Sequence, residues 1–395
     1  MQVTRNIEKK ETMWNKNYVL CMFVSASATF AQSMFNPAMP VFGQSIGLSA
    51  DIIGMITCIA TIICMFGRGI SGKLSDTMSK KKLVFIGLCF SLAGYGLYFF
   101  VDSLPVFFIA RVLQTVGSGM KITVLSVLAI SVVPAAKMPS AIAIFSVASS
   151  LAQCFAPNIG TNLAYAQNYT VLFILAFALT ILAVVLLFCI DEGPVVIPER
   201  KSKEKKKFSI NSIVCVPAIP AAIMLLFNGL IHTCVSSYLS LYGIEKGLPD
   251  VGLFFTINAI TMIAIRPAVG KICENKPLSF IIIPGFLAEM LTGIVLASTA
   301  QMGFVYLAAV LYGIGFGSAQ AAIQIMAVRS VGPDRRGEAN GTYYVGGDIG
   351  LAFGAYIAGA IINVVGTSMM YWFMAAMAAL CLVFYFGYCA KKKSH

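Results

Sequence analysis

Charged residues are scarce in this sequence. Only 11% of its 395 residues are charged, whereas 58% are hydrophobic and the mean hydropathy is +0.85. A soluble domain usually carries about 25% charged residues, so the composition excludes a soluble enzyme with an ordinary surface, and it also excludes a disordered chain. The formal net charge of +12 would suggest nucleic acid in a soluble protein. Here the basic residues lie between long apolar runs, so we expect no nucleic-acid partner.

Motifs for catalysis and for cofactors are also missing. The sequence has no G-x-x-x-x-G-K-[ST] loop, which would cradle the phosphates of ATP. None of the eleven cysteines forms a C-x-x-C pair, and nearly all lie in apolar runs without a histidine cluster, which predicts small buried side chains rather than disulfides or metal ligands. No nucleophile–base pair is apparent. We therefore predict no enzymatic activity, no catalytic residues, no cofactor and no metal.

Long apolar runs fill most of the chain. A bilayer core of about 30 Å requires about 20 helical residues per crossing. Apolar runs between charged, proline, glycine and asparagine breaks predict an all-α membrane protein with twelve transmembrane helices in a lipid bilayer. The expected spans are 17–41, 49–73, 82–101, 105–132, 139–163, 169–190, 213–242, 250–271, 278–299, 303–329, 338–364 and 368–390.

Basic residues collect at one set of helix ends. They include Lys80 and Lys81 after the second span, the run Arg200–Lys207 at the midpoint and Lys391–Lys393 after the last span, whereas the opposite loops hold only Lys246. By the positive-inside rule, both termini and the central loop are expected in the cytoplasm. We expect a multi-pass protein of the cell inner (plasma) membrane.

The sequence also matches itself at an offset of 198 residues. At this offset Arg68–Asp76 falls on Arg266–Glu274, and Gly117–Gly119 falls on Gly315–Gly317. The match predicts two pseudo-symmetric six-helix halves at residues 1–190 and 213–395, joined by a basic cytoplasmic linker at residues 191–212. Many secondary transporters are built from such parallel repeats, with the substrate site near the bilayer midplane.

The loop after span 2 resembles the G-x-L-x-D-x-x-x-[RK]-[RK] motif of the major facilitator superfamily, and the resemblance extends over essentially the full chain. The resemblance implies a conformational latch, with a carboxylate stabilised at a helix N-terminus. The positions that carry it, including those of the second copy, are Gly72, Asp76, Lys80, Lys81, Gly270 and Glu274. The alternative is a generic basic loop, against which the duplication argues.

Span 4 contains Arg111, Gln114, Gly117 and Gly119, which resemble the R-x-x-Q-G-x-G motif of the same family. An arginine inside the membrane is costly unless it faces a cavity or a partner. The resemblance implies a role for Arg111 in substrate or proton coupling. The alternative is an arginine that snorkels outward.

Two further segments resemble the drug/proton antiporter-like branch. Ala156–Gly160 in span 5 is a degraded G-P-x-x-G-G motif, for which antiport and a simple proline kink are equally good interpretations. Gly332–Tyr344 resembles P-x-x-R-R-G-x-x-x-G-x-[YF]. Both segments support family membership more than any particular substrate.

Polar side chains at helical spacing mark the four spans that line the cavity in this family, spans 1, 4, 7 and 10. Interhelical hydrogen bonding could explain one stripe, but the set favours a wet cavity. The predicted substrate contacts are Gln32, Asn36, Gln114, Lys121, Asn228, His232, Gln320 and Gln324.

Few ionisable groups fall inside the predicted spans. Asp348 in span 11 is the predicted proton carrier with Arg111, and its alternative role is a salt bridge to Lys121 or another cation. Glu289 in span 9, a peripheral helix in this family, is interpreted as a neutralised or structurally paired acid. Arg111 and Lys121 against Asp348 give a net positive cavity, which favours anionic substrates.

The resemblance therefore predicts a secondary transporter that works by alternating access, exports a small organic compound in exchange for protons and acts as a monomer. The first alternative is an organic-anion exchanger or symporter in which Arg111 and Lys121 bind carboxylates. The remote alternative is a membrane receptor that transports nothing.

Overall fold

The computed structural model describes residues 14–75, 78–134, 138–191, 215–299, 301–332 and 335–393. Within these ranges it describes the backbone alone for residues 69, 72, 73, 130, 138–144, 146–150, 266, 267, 270, 274, 275, 336–338 and 391–393.

Twelve long α-helices account for most of the described residues, which contain no β-strand. They are α1 Lys16–Ser45, α2 Ala50–Leu74, α3 Lys80–Leu97, α4 Leu104–Ser131, α5 Met138–Tyr165, α6 Tyr169–Phe188, α7 Ile219–Glu245, α8 Gly252–Asn275, α9 Ser279–Ser298, α10 Met302–Arg329, α11 Arg336–Val365 and α12 Thr367–Lys393.

The predicted all-α membrane fold is confirmed. Within the described residues, ten helices are long and apolar enough to cross a membrane, and Gly252–Ile265 of α8 is a shorter apolar stretch. Only helices and closed barrels satisfy every backbone N–H and C=O group in hydrocarbon. A chain with this many apolar runs and helical periodicity therefore folds into a helix bundle.

Two of the predicted boundaries that lie near prolines differ from the structure. Span 7 was predicted to start at residue 213, but Val216–Ala218 forms a 3-10 turn and α7 begins at Ile219, with Pro220 in its first turn. Proline is common in the first turn of a helix, because the N–H groups there have no acceptor within the helix. In contrast, α1 continues beyond the predicted residue 41 through Pro37 and Pro40 to Ser45, so these prolines do not end it.

The chain divides into two compact units. Unit 1 contains Met1–Asn36 and Ile63–Glu199, and unit 2 contains Pro37–Ile62 and Arg200–His395. The end of α1 and the start of α2 therefore group with unit 2. Most of the predicted linker at residues 191–212 lies outside the described residues.

Close glycine contacts hold α3 against α4 in unit 1, and the same contacts recur 198 residues later between α9 and α10 in unit 2. A Cβ atom on Gly117 would overlap the Gly87 carbonyl oxygen, and one on Gly315 would lie 2.8 Å from the carbonyl oxygen of Gly285. Gly87 and Gly117 correspond to Gly285 and Gly315 at the offset. The two units thus repeat one helix-packing pattern, while the predicted halves at residues 1–190 and 213–395 stay a prediction.

Glycines also allow α11 to pack closely against α7 in unit 2. Gly346 and Gly350 place their backbones directly over the carbonyl groups of Ala222 and Leu226, and a Cβ on Gly354 would lie 3.0 Å from Leu230 Cα. Four-residue spacing puts the three glycines on one face of α11, so that the two backbones approach closely.

Alanine at Gly350 tests this packing. Its Cβ would overlap the Leu226 carbonyl, and overpacking of this kind costs about 1–3 kcal/mol. We expect Gly350→Ala to lower the thermal unfolding midpoint of the detergent-solubilised protein. Gly303→Ala is the matched control, because no atom lies within 4 Å of the added Cβ. An equal midpoint for the two variants would contradict the close approach.

Candidate substrate and proton site

A polar cluster in unit 1 surrounds Arg111 on α4. The side chain is buried, and its Nη1 donates a hydrogen bond to Gln114 Oε1 at 3.1 Å. Tyr95 and Tyr98 lie beside this pair. The structure therefore places Arg111 in a sealed aromatic and amide environment, with its Nε atom lacking a hydrogen-bond partner.

Lys121 is a second buried cation on α4. It is 1% exposed, and its Nζ donates to Ser91 Oγ of α3 at 3.1 Å. A Cβ on Gly87 would lie 3.0 Å from the Lys121 backbone nitrogen, so α3 packs tightly at this level. Lys121 and Gln114 both lie on the face of α4 that meets α3.

Both cations have neutral partners. The described residues place no carboxylate within ion-pair distance of Arg111 or Lys121. Ten residues of α-helix separate them by about 15 Å, so one carboxylate cannot bind both. An unneutralised cation in the membrane favours an anion.

The predicted contacts on α1 are half-buried. They are Gln32 and Asn36, and the Oε1 atom of Gln32 is buried without a hydrogen-bond partner. A separate groove of about 550 Å³ in unit 1 is lined almost entirely by apolar side chains, among them Phe23, Phe30 and Phe155. None of the predicted substrate contacts lines this groove.

In unit 2 the structure brings Asn228 of α7 to Glu289 of α9. Asn228 Nδ2 donates to Glu289 Oε1 at 2.9 Å, and both side chains are buried. The Oε2 atom of Glu289 has no hydrogen-bond partner. The acid interpreted from the sequence as a peripheral group thus contacts a predicted substrate residue.

An aromatic group adjoins this contact. His232 Nδ1 lies 2.8 Å from the Tyr312 hydroxyl, and its ring stacks on Phe316 with centroids 4.5 Å apart. Tyr312 also interacts electrostatically with Glu289. His232 is half-buried, so it is the more accessible end of this group.

The remaining predicted residues of unit 2 lie elsewhere on α10 and α11. Gln324 Nε2 donates to Asn340 Oδ1 and to the Tyr344 hydroxyl, each at 3.1 Å, so it ties α10 to α11. Gln320 and Asp348 are half-buried. Asp348 lies two residues from Gly350, and therefore points away from the α7 contact.

Two of the six predicted latch residues, Lys80 and Lys81, have described side chains. Lys81 Nζ donates to the carbonyl oxygens of Phe188 at 3.0 Å and Ile190 at 2.5 Å, so it caps the C-terminal end of α6. Lys80 is half-buried at the start of α3. Asp76 and the side-chain environments of Gly72, Gly270 and Glu274 lie outside the described residues.

Sequence reasoning missed Ser91 and Tyr312, although the internal repeat contains the signal. At the offset of 198, Ser91 falls on Glu289 and Gln114 falls on Tyr312. The polar positions of α3 and α4 thus recur as polar positions of α9 and α10.

Apolar helices of membrane-spanning length with a few buried ionisable side chains are typical of multi-pass membrane transport proteins. The family model described as Major Facilitator Superfamily matches residues 21–341 and 251–394, and the chain belongs to this superfamily. The resemblance found in the sequence motifs is thereby confirmed, while the antiporter-like branch stays a prediction.

Two relatives and one solved structure illustrate the match. An uncharacterized MFS-type transporter of Methanocaldococcus jannaschii is 24% identical over 367 residues, covering 91% of this chain and 95% of that protein. The staphylopine export protein of Staphylococcus aureus is 23% identical, with 90% of each chain covered. A crystal structure of the nucleoside transporter NupG has a TM-score of 0.79 at 11% identity, covering 94% of this chain and 99% of that chain.

The contact of Lys81 with the C-terminal end of α6 can be tested by mutation. Lys81→Ala removes both hydrogen bonds to the end of α6, and a cation at a helix C-terminus contributes about 0.3–1 kcal/mol. We expect a lower thermal unfolding midpoint than for Lys82→Ala, because Lys82 is exposed at the next position. Equal midpoints would show that Lys81 does not cap α6.

Proposed function

We propose that this transporter exports a small organic compound in exchange for protons, by alternating access, as a monomer in the cell inner (plasma) membrane with both termini in the cytoplasm. The observation that supports it best is the burial of Arg111, Lys121 and Glu289 in transmembrane helices without an ion-pair partner among the described residues. Ionisable groups are expensive inside a membrane and mark substrate or proton pathways.

The direction of transport is proposed from a relative. The staphylopine export protein matches over most of both chains, and its name states export. Staphylopine is therefore a reasonable first probe, together with citrate as an organic anion and tetraphenylphosphonium as a lipophilic cation.

Arg111 and Asp348 are the proposed coupling residues. Arg111 supplies a fixed charge next to Gln114, and Asp348 is half-buried in α11, where water can bring a proton to it. A carboxylate that alternates between charged and neutral forms during the cycle can link proton movement to a change of conformation.

The latch residues are proposed to stabilise one of the alternating conformations. Gly72, Asp76 and Lys80 form the first copy with Lys81, and Gly270 and Glu274 form the second. Lys81 contributes by fixing the end of α6.

Asp348→Asn tests the coupling. We expect it to lose probe accumulation in proteoliposomes with an acidic interior, because asparagine cannot carry the proton, and to keep exchange of labelled for unlabelled probe. Asp250→Asn is the control, since it makes the same change in the α7–α8 connection. Full proton-driven accumulation by Asp348→Asn would exclude coupling through this residue. Absence of flux for every probe in the unmodified protein would favour a receptor.

A second candidate function is exchange or symport of organic anions. The observation that favours it is the pair of buried cations on α4, whose partners are the neutral side chains of Gln114 and Ser91. In this mechanism each cation binds one carboxylate, and exchange of one anion for another requires no proton movement.

Lys121→Ala separates the substrate classes. Loss of a charge-assisted hydrogen bond costs about 1.5–3 kcal/mol, so we expect citrate or staphylopine to bind about 10- to 100-fold more weakly, while tetraphenylphosphonium transport is unchanged. Ser91→Ala is the control, because it removes the partner of Lys121 and leaves the ammonium in place. Normal anion transport by Lys121→Ala would rule out carboxylate binding at this lysine.

A further inference from the structure

Glu289 occupies a sealed position between three helices of unit 2. Its side chain is 0% exposed and lies against Gly315 of α10, where an added Cβ would be 2.8 Å from Glu289 Cγ. Asn228 reaches it from α7, and Cys381 of α12 interacts with it electrostatically. The absence of a side chain at Gly315 makes room for the first part of the Glu289 side chain.

No charged group neutralises this carboxyl. The groups that face it are Asn228 from α7, Tyr312 from α10 and Cys381 from α12, and all three are uncharged at neutral pH. The described residues contain no lysine, arginine or histidine within ion-pair distance of Glu289. An adjacent cation would have fixed the charged form, and its absence leaves protonation open.

Neither protonation state is fully satisfied by the surroundings. The ionised form receives one hydrogen bond at Oε1, from Asn228 Nδ2, but none at Oε2. The protonated form keeps the hydrogen bond at Oε1 and avoids the free-energy cost of a buried charge. Its new O–H group, however, has no hydrogen-bond acceptor. Each protonation state therefore leaves one hydrogen-bonding group of the carboxyl unsatisfied. A small movement of the neighbouring side chains can then favour one state over the other, so that a proton is bound or released.

We propose that Glu289 is a reversible proton-binding site of this transporter, with the proton held on Oε2. The step is a proton transfer alone: a proton from water adds to the carboxylate and leaves again as the helices move. His232, half-buried and paired with Tyr312, marks the side from which the proton reaches Glu289.

Protonation of Glu289 changes the strength of the hydrogen bond that connects α9 to Asn228 of α7. A hydrogen bond to a carboxylate is roughly twice as strong as one to a neutral acceptor, so the proton weakens the bond from Asn228. The same helix is tied to α10 through His232 and Tyr312. The protonation of Glu289 can therefore affect the position of α7, which carries Asn228 and His232, two of the proposed substrate contacts.

This proposal rests on the proposed proton coupling but places a second proton site away from Asp348. Asp348 is half-buried on α11, whereas Glu289 is sealed. A carboxyl band that is lost in Glu289→Gln but kept in Asp348→Asn belongs to Glu289, and this comparison makes the two sites distinguishable.

The test is infrared difference spectroscopy of the full-length protein in lipid as the buffer is changed from acid to alkaline. We expect a protonated-carboxyl band that disappears with rising pH and is absent in Glu289→Gln, whose amide oxygen still accepts the bond from Asn228. Thr292→Val is the matched control, because Thr292 is also buried on α9 and bonds only to its own helix at Ala288. A Glu289→Gln spectrum identical to the unmodified one would overturn the proposal. A Glu289 band that never titrates would also overturn it, since the carboxyl would then be permanently protonated.

Transport provides the second measurement. Glu289→Gln is expected to lose accumulation of citrate, staphylopine or tetraphenylphosphonium driven by an acidic interior, while it keeps exchange of labelled probe. Accumulation equal to that of the unmodified protein would overturn the role of Glu289 in coupling. If the unmodified protein ignores the pH gradient for all three probes while the Glu289 band still titrates, the proposed proton-coupled export fails and the proton site stands.

Discussion

The hydrocarbon core of a membrane contains no water, so every polar group placed there must be satisfied by the protein itself. The backbone meets this constraint by forming helices, which is why a chain with 58% hydrophobic residues is nearly all helical where the structure describes it. Side chains meet it through neutral partners. Arg111 has Gln114, Lys121 has Ser91 and Glu289 has Asn228. Each pairing satisfies some hydrogen-bonding groups and leaves the charge itself unneutralised.

Glycine packing holds these groups in place. Gly87 and Gly117 bring α3 against α4 beside Lys121, and Gly285 and Gly315 bring α9 against α10 beside Glu289. Close backbone approach leaves little space for water. The same glycines that make each unit compact therefore maintain the low polarity around the ionisable groups. Gly160 of α5, which packs over the carbonyl of Met34, shows that a residue of the antiporter-like segment also serves packing.

Much of the fold could be predicted from the sequence because hydropathy and helical length act locally. The span from Met302 to Arg329 was predicted to within one residue, whereas the start of α7 was not, since two prolines reshape its first turn. Partners between helices depend on rotation and depth, which a stripe of residues does not specify. The latch role of Lys81 stays a prediction, and no pattern within its own loop indicates that it contacts the end of α6.

The two units share one helix-packing pattern but bury groups of opposite charge, Lys121 in unit 1 and Glu289 in unit 2. Ser91 and Glu289 occupy equivalent positions of the repeat, but the buried cation of unit 1 comes from α4, where unit 2 has Ala319. A lysine bonded to a hydroxyl and a glutamate bonded to an amide both keep partners that survive a change in protonation. Ion pairs would have fixed both charges and made each site structural. Neutral partners do not fix the charge in this way, so the protonation of each group depends on the surroundings that the packed helices provide.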